Sequence, residues 1–281
     1  MSEEKKLPQG KLKVNLIALD LDDTLLTSKL TIGERTLSAI HKAAEKGIYI
    51  VLCSGRPSCG VLNVVRQMNI AGTQAGRYII STNGTVITDL HTRLEIFHKN
   101  VPGSVLLQAH QEAKKMGLNG EVYDAETIYA PVDDKYTRMD PELIKSKFQI
   151  VEDFDSFIQR GFSKMLVAGE PTEIAVLEEK LKSLLGNLAN IYTSKPVFLE
   201  ILPADCGKGE SLLHLAKFLG IPEEETMAFG DGMNDESMIV KAHYGVAMKN
   251  AKDALKAKAD FVTEYTNEED GVGRFIEDYI L

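Results

Sequence analysis

Short apolar runs that each end in a polar residue recur along the first third of the chain. The run from Val14 to Leu19 is interrupted only by Asn15 and ends at Asp20. Two further runs, Ile48 to Leu52 and Tyr78 to Ser81, end in the same way. Nearly continuous apolar runs of this length are typical of strands that are covered on both faces. The pattern therefore predicts buried strands whose polar ends open onto a common site.

The segments between these runs have helical spacing. Thr31 and Glu34 have the spacing of a capping box, apolar residues follow at helical intervals, and Gly47 supplies a stop. A second helix is predicted from Val61 to Met68. Strands that alternate with helices in this way form parallel sheets with helices on their faces. The first third of the chain is therefore predicted to be α/β.

The alternation of apolar runs and helical segments changes after Gly84. The runs Val86 to Leu90 and Leu94 to His98 flank a short polar link, which predicts an antiparallel hairpin. From Val101 to about Tyr192 short strands are mixed with helices, which indicates an inserted α+β domain. Apolar strands then return, and we predict them at Phe198–Leu202, Thr226–Phe229, Tyr244–Ala247 and Phe261–Val262.

Strand-like apolar runs of the kind found in parallel sheets thus occur on both sides of the insertion. We predict one discontinuous core made of residues 1–84 and 194–281, and an α+β insertion made of residues 85–193. The fold class expected is α/β, with a Rossmann-like parallel sheet in the core.

Composition narrows the classes of function. The formal net charge of −9 argues against a nucleic-acid partner, because backbone phosphates are bound mainly by a surplus of Lys and Arg. The cysteines Cys53, Cys59 and Cys206 are odd in number and have no C-x-x-C spacing, so neither a disulfide framework nor a zinc site is indicated. No signal peptide or membrane-crossing stretch is evident. We expect a cytoplasmic protein without a membrane partner.

Polar residues that directly follow the apolar runs form the candidate site. In an open α/β sheet, ligands bind beyond the carboxyl ends of the strands. Asp20 and Asp22 leave the first strand two residues apart, so their carboxylates can converge on one cation and one phosphorus. Asp231 and Asp235 follow a later strand beside glycines, which let the backbone approach a ligand closely. Ser54 and Asn83 occupy equivalent positions after the second and third strands.

Four motifs in this order resemble those of the haloacid dehalogenase superfamily of hydrolases, in its Cof-like type. The resemblance covers nearly the whole chain, and the four ordered motifs are far more specific than a single Asp-x-Asp-x-Thr. It implies a parallel-sheet core whose insertion is a mobile cap that contacts the substrate beyond its phosphate. The matching segments are Asp20 to Thr24, Ser54-Gly55-Arg56, Lys208-Gly209 and Gly230 to Asp235.

The resemblance also implies a Mg²⁺-dependent phosphatase. Asp20 would be the nucleophile that forms an aspartyl-phosphate, and Asp22 would be the general acid and then the general base. Asp20, Asp231 and the backbone carbonyl of Asp22 would hold Mg²⁺, while Asp235 would steady the water shell of the metal. The groups implied for the phosphoryl oxygens are Ser54, the Gly55 amide, Lys208, Asn234 and the Leu21 amide.

The excess of negative charge among the candidate site residues indicates that a cation is needed. Four candidate aspartates face a single ammonium, that of Lys208. A phosphate dianion would be repelled by about 4 kcal/mol per unit charge at a distance of about 4 Å and an effective dielectric near 20. Arg56 is explained equally well as a structural ion-pair donor, so we do not place it among the predicted site residues.

Two alternatives to hydrolysis stay open at this point. A phosphotransferase or phosphomutase would use the same Asp20 intermediate with a sugar hydroxyl as acceptor, and a non-catalytic sugar-phosphate sensor would not need the Asp22 acid. The expected partner is a small phosphate ester, with a sugar phosphate as the first expectation. The cap sequence does not choose among hexose phosphates, other sugar phosphates, nucleotides, flavin mononucleotide and pyridoxal phosphate. We expect a monomer or a weak homo-oligomer.

Overall fold

Two β-sheets organise the chain in the computed structural model, which describes residues 7–124 and 126–281. The strands of this described part are β1 Leu16–Leu19, β2 Tyr49–Cys53, β3 Tyr78–Ser81, β4 Val86–Asp89, β5 Leu94–His98, β6 Gly120–Tyr123, β7 Thr127–Ala130, β8 Lys147–Ile150, β9 Met165–Ala168, β10 Ala189–Lys195, β11 Phe198–Pro203, β12 Thr226–Gly230, β13 Tyr244–Ala247 and β14 Phe261–Val262.

Helices connect most of these strands. Among the described residues, no helix combines the length and the apolar character that a membrane crossing needs. The α-helices are α1 Glu34–Glu45, α2 Ser58–Met68, α3 Gly103–Lys114, α4 Met139–Ile144, α5 Phe154–Phe157, α6 Pro171–Leu185, α7 Lys208–Leu219, α8 Glu236–Lys241, α9 Asp253–Lys256 and α10 Gly271–Tyr279.

The larger sheet carries the predicted α/β pattern. Its strand order is β14-β13-β12-β1-β2-β3-β4-β5, and the strands from β14 to β3 are parallel. Strand β1 lies between β12 and β2, with Leu19 opposite both Phe229 and Leu52. All four residues of β1 are buried, as its continuous apolar run predicts. The α/β core with a parallel sheet is confirmed, and the carboxyl ends of β2, β1 and β12 lie side by side.

The capping box predicted at the start of α1 is wrong. Thr31 instead closes a turn, in which its carbonyl oxygen accepts from the Thr27 amide at 2.9 Å. The cap of this helix comes from a residue distant in sequence, because both the amide and the hydroxyl of Thr36 donate to Asp270 Oδ1, at 2.9 and 2.8 Å. A local motif was therefore replaced by a tertiary contact between α1 and the residue preceding α10.

The smaller sheet has a hydrophobic core of its own. Its order is β10-β11-β9-β6-β7-β8, and its pairings are antiparallel except for β7 with β8. Helices α3 and α6 contribute to this core through buried residues such as Leu106, Leu177 and Leu181. This unit is the α+β insertion that the change in sequence pattern after Gly84 indicated.

The sheets correct both predicted boundaries of the insertion. We predicted the core at 1–84 and 194–281 and the insertion at 85–193, but the hairpin β4–β5 extends the larger sheet through antiparallel pairing of β4 with β3. Strand β11, which we had predicted in the core, pairs with β9 and β10 in the smaller sheet. An apolar run in the sequence predicts that a strand is buried, but it does not predict which of two sheets the strand joins. We therefore define the cap as residues 101–203.

Removing the cap should leave a folded core. A chain in which a short Gly/Ser linker joins Asn100 to Ala204 keeps every strand of the larger sheet and its hydrophobic cluster, so it should be soluble and unfold cooperatively. A matched chain cut at the boundaries predicted from sequence, without residues 85–193, loses β4 and β5 and keeps β11 without β9 and β10. It should aggregate, because β3 becomes an uncovered edge.

Size-exclusion chromatography and thermal unfolding followed by circular dichroism compare the two chains. If the chain joined from Asn100 to Ala204 aggregates while the chain without residues 85–193 is monodisperse, the two sheets do not mark the folding units.

Candidate active site

The carboxyl end of β1 leads directly into a tight turn. The amides of Leu25 and Leu26 donate to the carbonyl oxygens of Asp20 and Leu21, at 3.3 and 2.8 Å. Asp23 has a φ of 58°, a left-handed conformation that Asp tolerates better than most residues. The turn buries Asp20 and leaves the side chain of Asp22 about half exposed. The two predicted catalytic carboxylates therefore leave the same turn in very different environments.

A buried lysine lies behind Asp20. Lys208 Nζ donates to Asp20 Oδ1 at 2.5 Å and to Asp235 Oδ1 at 2.6 Å, and its side chain is fully buried. Burial lowers the pKa of Lys208, but the carboxylates of Asp20 and Asp235 outweigh burial and hold that pKa well above its usual value. Lys208 is therefore a fixed positive charge at the floor of the site.

The start of α7 is held in place by the loop after β3. Gly84 has a φ of 94°, and a Cβ there would lie 2.2 Å from the carbonyl oxygen of Gly207. The thiol of Cys206 donates to the Gly84 carbonyl oxygen at 3.1 Å, and the Ser211 hydroxyl donates to the same oxygen. These contacts explain the glycine at position 84 and give Cys206 a structural role. They fix the backbone from which Lys208 reaches Asp20.

The turn after β12 supplies the other two acidic groups. Asp235 Oδ2 accepts from the amides of Asp231 and Gly232 at 3.0 and 3.1 Å. The hydroxyl of Thr24 donates to Asp231 Oδ1 at 3.1 Å and so connects this turn to the one after β1. A Cβ on Gly230 would lie 2.5 Å from that of Asp235, so the close turn requires glycine. Both oxygens of Asp235 are thus occupied by protein donors.

The three buried or partly buried aspartates are close enough to hold one cation. Ligand oxygens of Asp20, Asp231 and Asp235 lie within 4.8 Å of one another. Burial, and then the charge of Asp235, raises the pKa of Asp20, and the same two causes raise the pKa of Asp231 to about 7. Because the ionised carboxylates repel one another here, a hard divalent cation with oxygen ligands would stabilise them.

The individual oxygens indicate which residues would contact the metal. Within residues 7–124 and 126–281, Asp20 Oδ2 and Asp231 Oδ2 have no hydrogen-bond partner, whereas both oxygens of Asp235 do. The donor set therefore fits Mg²⁺ with Asp20 and Asp231 as direct ligands. Asp235, both of whose oxygens accept from protein donors, would then support these ligands from behind.

Asp22 is paired with Arg56. Arg56 Nε donates to Asp22 Oδ2 at 3.0 Å, and Arg56 Nη2 also bonds Asp22 Oδ1. The ion-pair role that kept Arg56 out of the predicted site is the one observed, but its partner is a predicted catalytic residue. Both carboxylate oxygens of Asp22 are therefore occupied by the same guanidinium group.

The loop after β2 forms a further wall. The Asn83 amide donates to the Ser54 carbonyl oxygen and the Thr82 amide to that of Arg56, both at 2.9 Å, so the loop is attached to the end of β3. A Cβ on Gly55 would lie 2.6 Å from Asn83 Oδ1, which explains glycine at that position. Ser54, Gly55, Asn83 and Asn234 line the same cavity as Asp20.

The side chain of Leu21 is fully buried in the core, so only its amide is left for the predicted role.

The cavity extends from Asp20 to the cap and has a volume of about 280 Å³. Charged cap residues line its far side, and the sequence analysis named none of them. Lys164 and Glu200 were detectable in principle, because each is a charged residue beside or within an apolar strand run. Their convergence was not detectable, because they come from different elements of the smaller sheet. The charged residues that the cap contributes are Asp140, Lys164, Lys195 and Glu200.

Comparisons with known proteins find similar sequences and folds over nearly the whole chain. A family model described as haloacid dehalogenase-like hydrolase matches residues 17–276. A 5-amino-6-(5-phospho-D-ribitylamino)uracil phosphatase of Bacillus subtilis, YitU, is 29% identical over 280 residues, covering 95% of this chain and 98% of its own. A crystal structure of a haloacid dehalogenase-like hydrolase from Bacteroides thetaiotaomicron has 34% identity and a TM-score of 0.83, covering 94% and 99% of the two chains. A HAD subclass IIB sugar phosphatase shares the fold, with 23% identity, a TM-score of 0.82, and 94% and 98% coverage.

Asp20→Asn should stabilise the protein when divalent metal is chelated. The change removes one of three mutually repelling carboxylates while Lys208 keeps Asp235 as a partner, so the free energy of unfolding should rise. Asp23→Asn is the matched control in the same turn, and it should change that free energy by less than about 0.5 kcal/mol. Urea unfolding in chelator measures both, and a less stable Asp20→Asn protein would contradict the repulsion argument.

Proposed function

Because the chain belongs to the haloacid dehalogenase-like hydrolase family, in its Cof type, we propose that it is a Mg²⁺-dependent phosphatase that forms an aspartyl-phosphate on Asp20. The observation that carries the proposal is the environment of Asp20. This buried carboxylate is bonded to the Lys208 ammonium on one side and lies against Asp231 on the other. A nucleophile beside fixed positive charge and a cation site is the arrangement that phosphoryl transfer needs.

In the first step, a carboxylate oxygen of Asp20 attacks the phosphorus and the bond from phosphorus to the ester oxygen breaks. Asp22, once it has left Arg56 and taken up a proton from solvent, gives that proton to the departing oxygen, so that an alcohol leaves. Lys208, Ser54 and Asn234 donate hydrogen bonds to the phosphoryl oxygens, where negative charge develops. This step leaves the phosphoryl group on Asp20.

In the second step, water attacks the phosphorus of the aspartyl-phosphate. Asp22 takes a proton from that water, the bond from phosphorus to the Asp20 oxygen breaks, and inorganic phosphate leaves. The carboxylate of Asp20 and the proton on Asp22 are both restored. Mg²⁺, when bound by Asp20, Asp231 and the Asp22 carbonyl, supplies positive charge that offsets the charge of the phosphoryl group.

We infer that the substrate is a small ester with a polyhydroxylated alcohol, with a sugar phosphate as the first candidate. YitU acts on a compound that carries a phosphorylated ribityl chain, and a structural neighbour is named as a sugar phosphatase. These relatives favour water as acceptor over the phosphotransferase, phosphomutase and sensor alternatives. The cytoplasmic location and the monomeric or weakly associating state stay predictions from the sequence.

Asp20→Asn should abolish turnover without unfolding the protein. Asn keeps the shape of the side chain but cannot attack phosphorus, so release of inorganic phosphate from p-nitrophenyl phosphate should fall by a factor of about 1,000 or more. Circular dichroism checks that the fold is intact. Activity within tenfold of the wild type would exclude Asp20 as the nucleophile.

Chelation of divalent metal should remove activity, and added Mg²⁺ should restore it. Mg²⁺ should also raise the melting temperature of the wild-type protein, because it binds only the folded site. Asp231→Asn should weaken both responses, whereas Asp253→Asn, at a fully exposed aspartate, should change neither. Full turnover in excess chelator is the result that would rule out the metal-dependent mechanism.

A further inference from the structure

Three charged cap side chains that line the cavity are buried. The side chains of Lys164 and Glu200 are 4% and 7% exposed, and Asp140 is 7% exposed. Buried charge is costly unless it is paired and hydrogen-bonded. None of the three residues takes part in the proposed phosphoryl transfer, so their position needs a different explanation.

Lys164 is the donor of this group. Its Nζ donates to Glu200 Oε2 at 3.1 Å and lies 4.3 Å from the centre of the Tyr123 ring. Burial lowers the pKa of Lys164, but the carboxylates of Glu200 and Asp140 outweigh it and leave that pKa raised. Lys164 is therefore an ammonium. In the described part of the chain it has one hydrogen-bond acceptor, so two of its three N–H groups are free to bind a ligand.

Glu200 and Asp140 are the acceptors. Glu200 Oε2 accepts from Asn83 Nδ2 at 2.5 Å as well as from Lys164, and Asp140 Oδ2 accepts from the Tyr123 hydroxyl at 2.5 Å. The second oxygens, Glu200 Oε1 and Asp140 Oδ1, have no partner among residues 7–124 and 126–281. The residues that line this cavity thus carry both free donors and free acceptors.

The acceptor Asp140 is held in a fixed orientation. The Tyr123 hydroxyl has a single hydrogen and lies 2.9 Å from Glu121 Oε1 as well as 2.5 Å from Asp140 Oδ2. Burial, followed by the charge of Asp140, raises the pKa of Glu121 well above its usual range. A neutral Glu121 can donate to Tyr123, which leaves the tyrosine hydrogen for Asp140. These hydrogen bonds hold Oδ2 of Asp140 in place and leave its Oδ1 available to a ligand.

We propose that Lys164, Glu200 and Asp140 form a hydroxyl-binding subsite that selects phosphate esters of neutral polyols. The inference rests on the proposed function of the same cavity. A hydroxyl group both donates and accepts, so it can donate to a free carboxylate oxygen while it accepts from Lys164. A second anionic group at this subsite would face two buried carboxylates and one buried ammonium, because the remaining charged cap residue of the cavity, Lys195, is exposed to solvent. Bisphosphates and phosphorylated sugar acids are therefore disfavoured.

Asn83 connects this subsite to the proposed phosphate-binding loop. Its Nδ2 donates to Glu200 in the cap, and its backbone amide donates to the carbonyl oxygen of Ser54 in the core. The spacing between bound phosphate and bound hydroxyl groups is therefore set by one buried side chain. A substrate must place its hydroxyls at a matching distance from its phosphate.

The experiment uses three phosphate esters whose alcohol part is uncharged, here called the neutral esters: glucose 6-phosphate, ribose 5-phosphate and mannitol 1-phosphate. Their kcat/KM values are compared with kcat/KM for p-nitrophenyl phosphate. In Glu200→Gln and in Lys164→Met, the ratio for the best neutral ester should fall at least tenfold, mainly through a higher KM. Glu112→Gln is the control, because Glu112 pairs with Lys115 and Lys180 outside the cavity, and its ratio should not change. Melting curves establish that each variant is folded, and the isosteric Glu200→Gln keeps the fold if Lys164→Met does not.

A second measurement separates recognition from a structural role. Asp140→Asn and Glu200→Gln each remove a negative charge, so the rate for 6-phosphogluconate relative to glucose 6-phosphate should rise at least threefold. Loss of packing alone would not improve the acidic ester. An unchanged ratio of neutral ester to aryl ester in folded Glu200→Gln, or an equal loss on both esters, would overturn the proposal.

Binding distinguishes this proposal from the proposed phosphatase. If the wild-type protein hydrolyses no ester but glucose 6-phosphate raises its melting temperature, and Glu200→Gln loses that rise, the subsite is supported and the phosphatase is rejected. If p-nitrophenyl phosphate is hydrolysed while the three neutral esters neither react nor stabilise the protein, the phosphatase stands and the subsite is rejected.

Discussion

The contact on which the site depends is the buried ammonium of Lys208 between Asp20 and Asp235. A buried ammonium is costly unless it is paired with carboxylates, and these two carboxylates come from the ends of different strands. The contact therefore requires β1, β12 and the start of α7 to meet at one point. It also leaves the site with more negative than positive charge, since Asp231 has no lysine partner among the described residues. A cation is the simplest way to balance that excess.

The sequence was sufficient to predict the part of the site that follows from parallel strands. Asp20, Ser54 and Asp231 each follow an apolar run, and the carboxyl ends of adjacent parallel strands necessarily meet at one edge. The cap side of the cavity and the boundaries of the insertion could not be predicted in this way. Lys164 and Glu200 meet only because β9 pairs with β11, and no local pattern reports which strands pair. The role of Arg56 depended in the same way on a partner in another loop.

The two sides of the cavity differ in their balance of charge, and this difference matches the proposed division between phosphoryl transfer and substrate recognition. On the core side, Asp20 and Asp231 are acidic groups whose repulsion disfavours an anion until a cation binds. On the cap side, Lys164 lies against Glu200, so that wall offers hydrogen bonds to neutral groups rather than attraction to a second anion. An ester with one phosphate and an uncharged hydroxylated alcohol satisfies both sides at once.

The connection between the two sides is a strained piece of backbone. Thr82 and Asn83 have φ values of 49° and 54°, and a left-handed conformation is unusual for a β-branched residue such as Thr82. The strain is maintained by backbone hydrogen bonds to Arg56 and Ser54, and it directs the short side chain of Asn83 toward Glu200. A relaxed backbone would turn that amide away from the cap. The core would then keep its proposed catalytic groups, but the proposed hydroxyl-binding residues would lose their fixed distance from the loop that holds Ser54. On this proposal, that distance is the quantity that selects among esters of the same class.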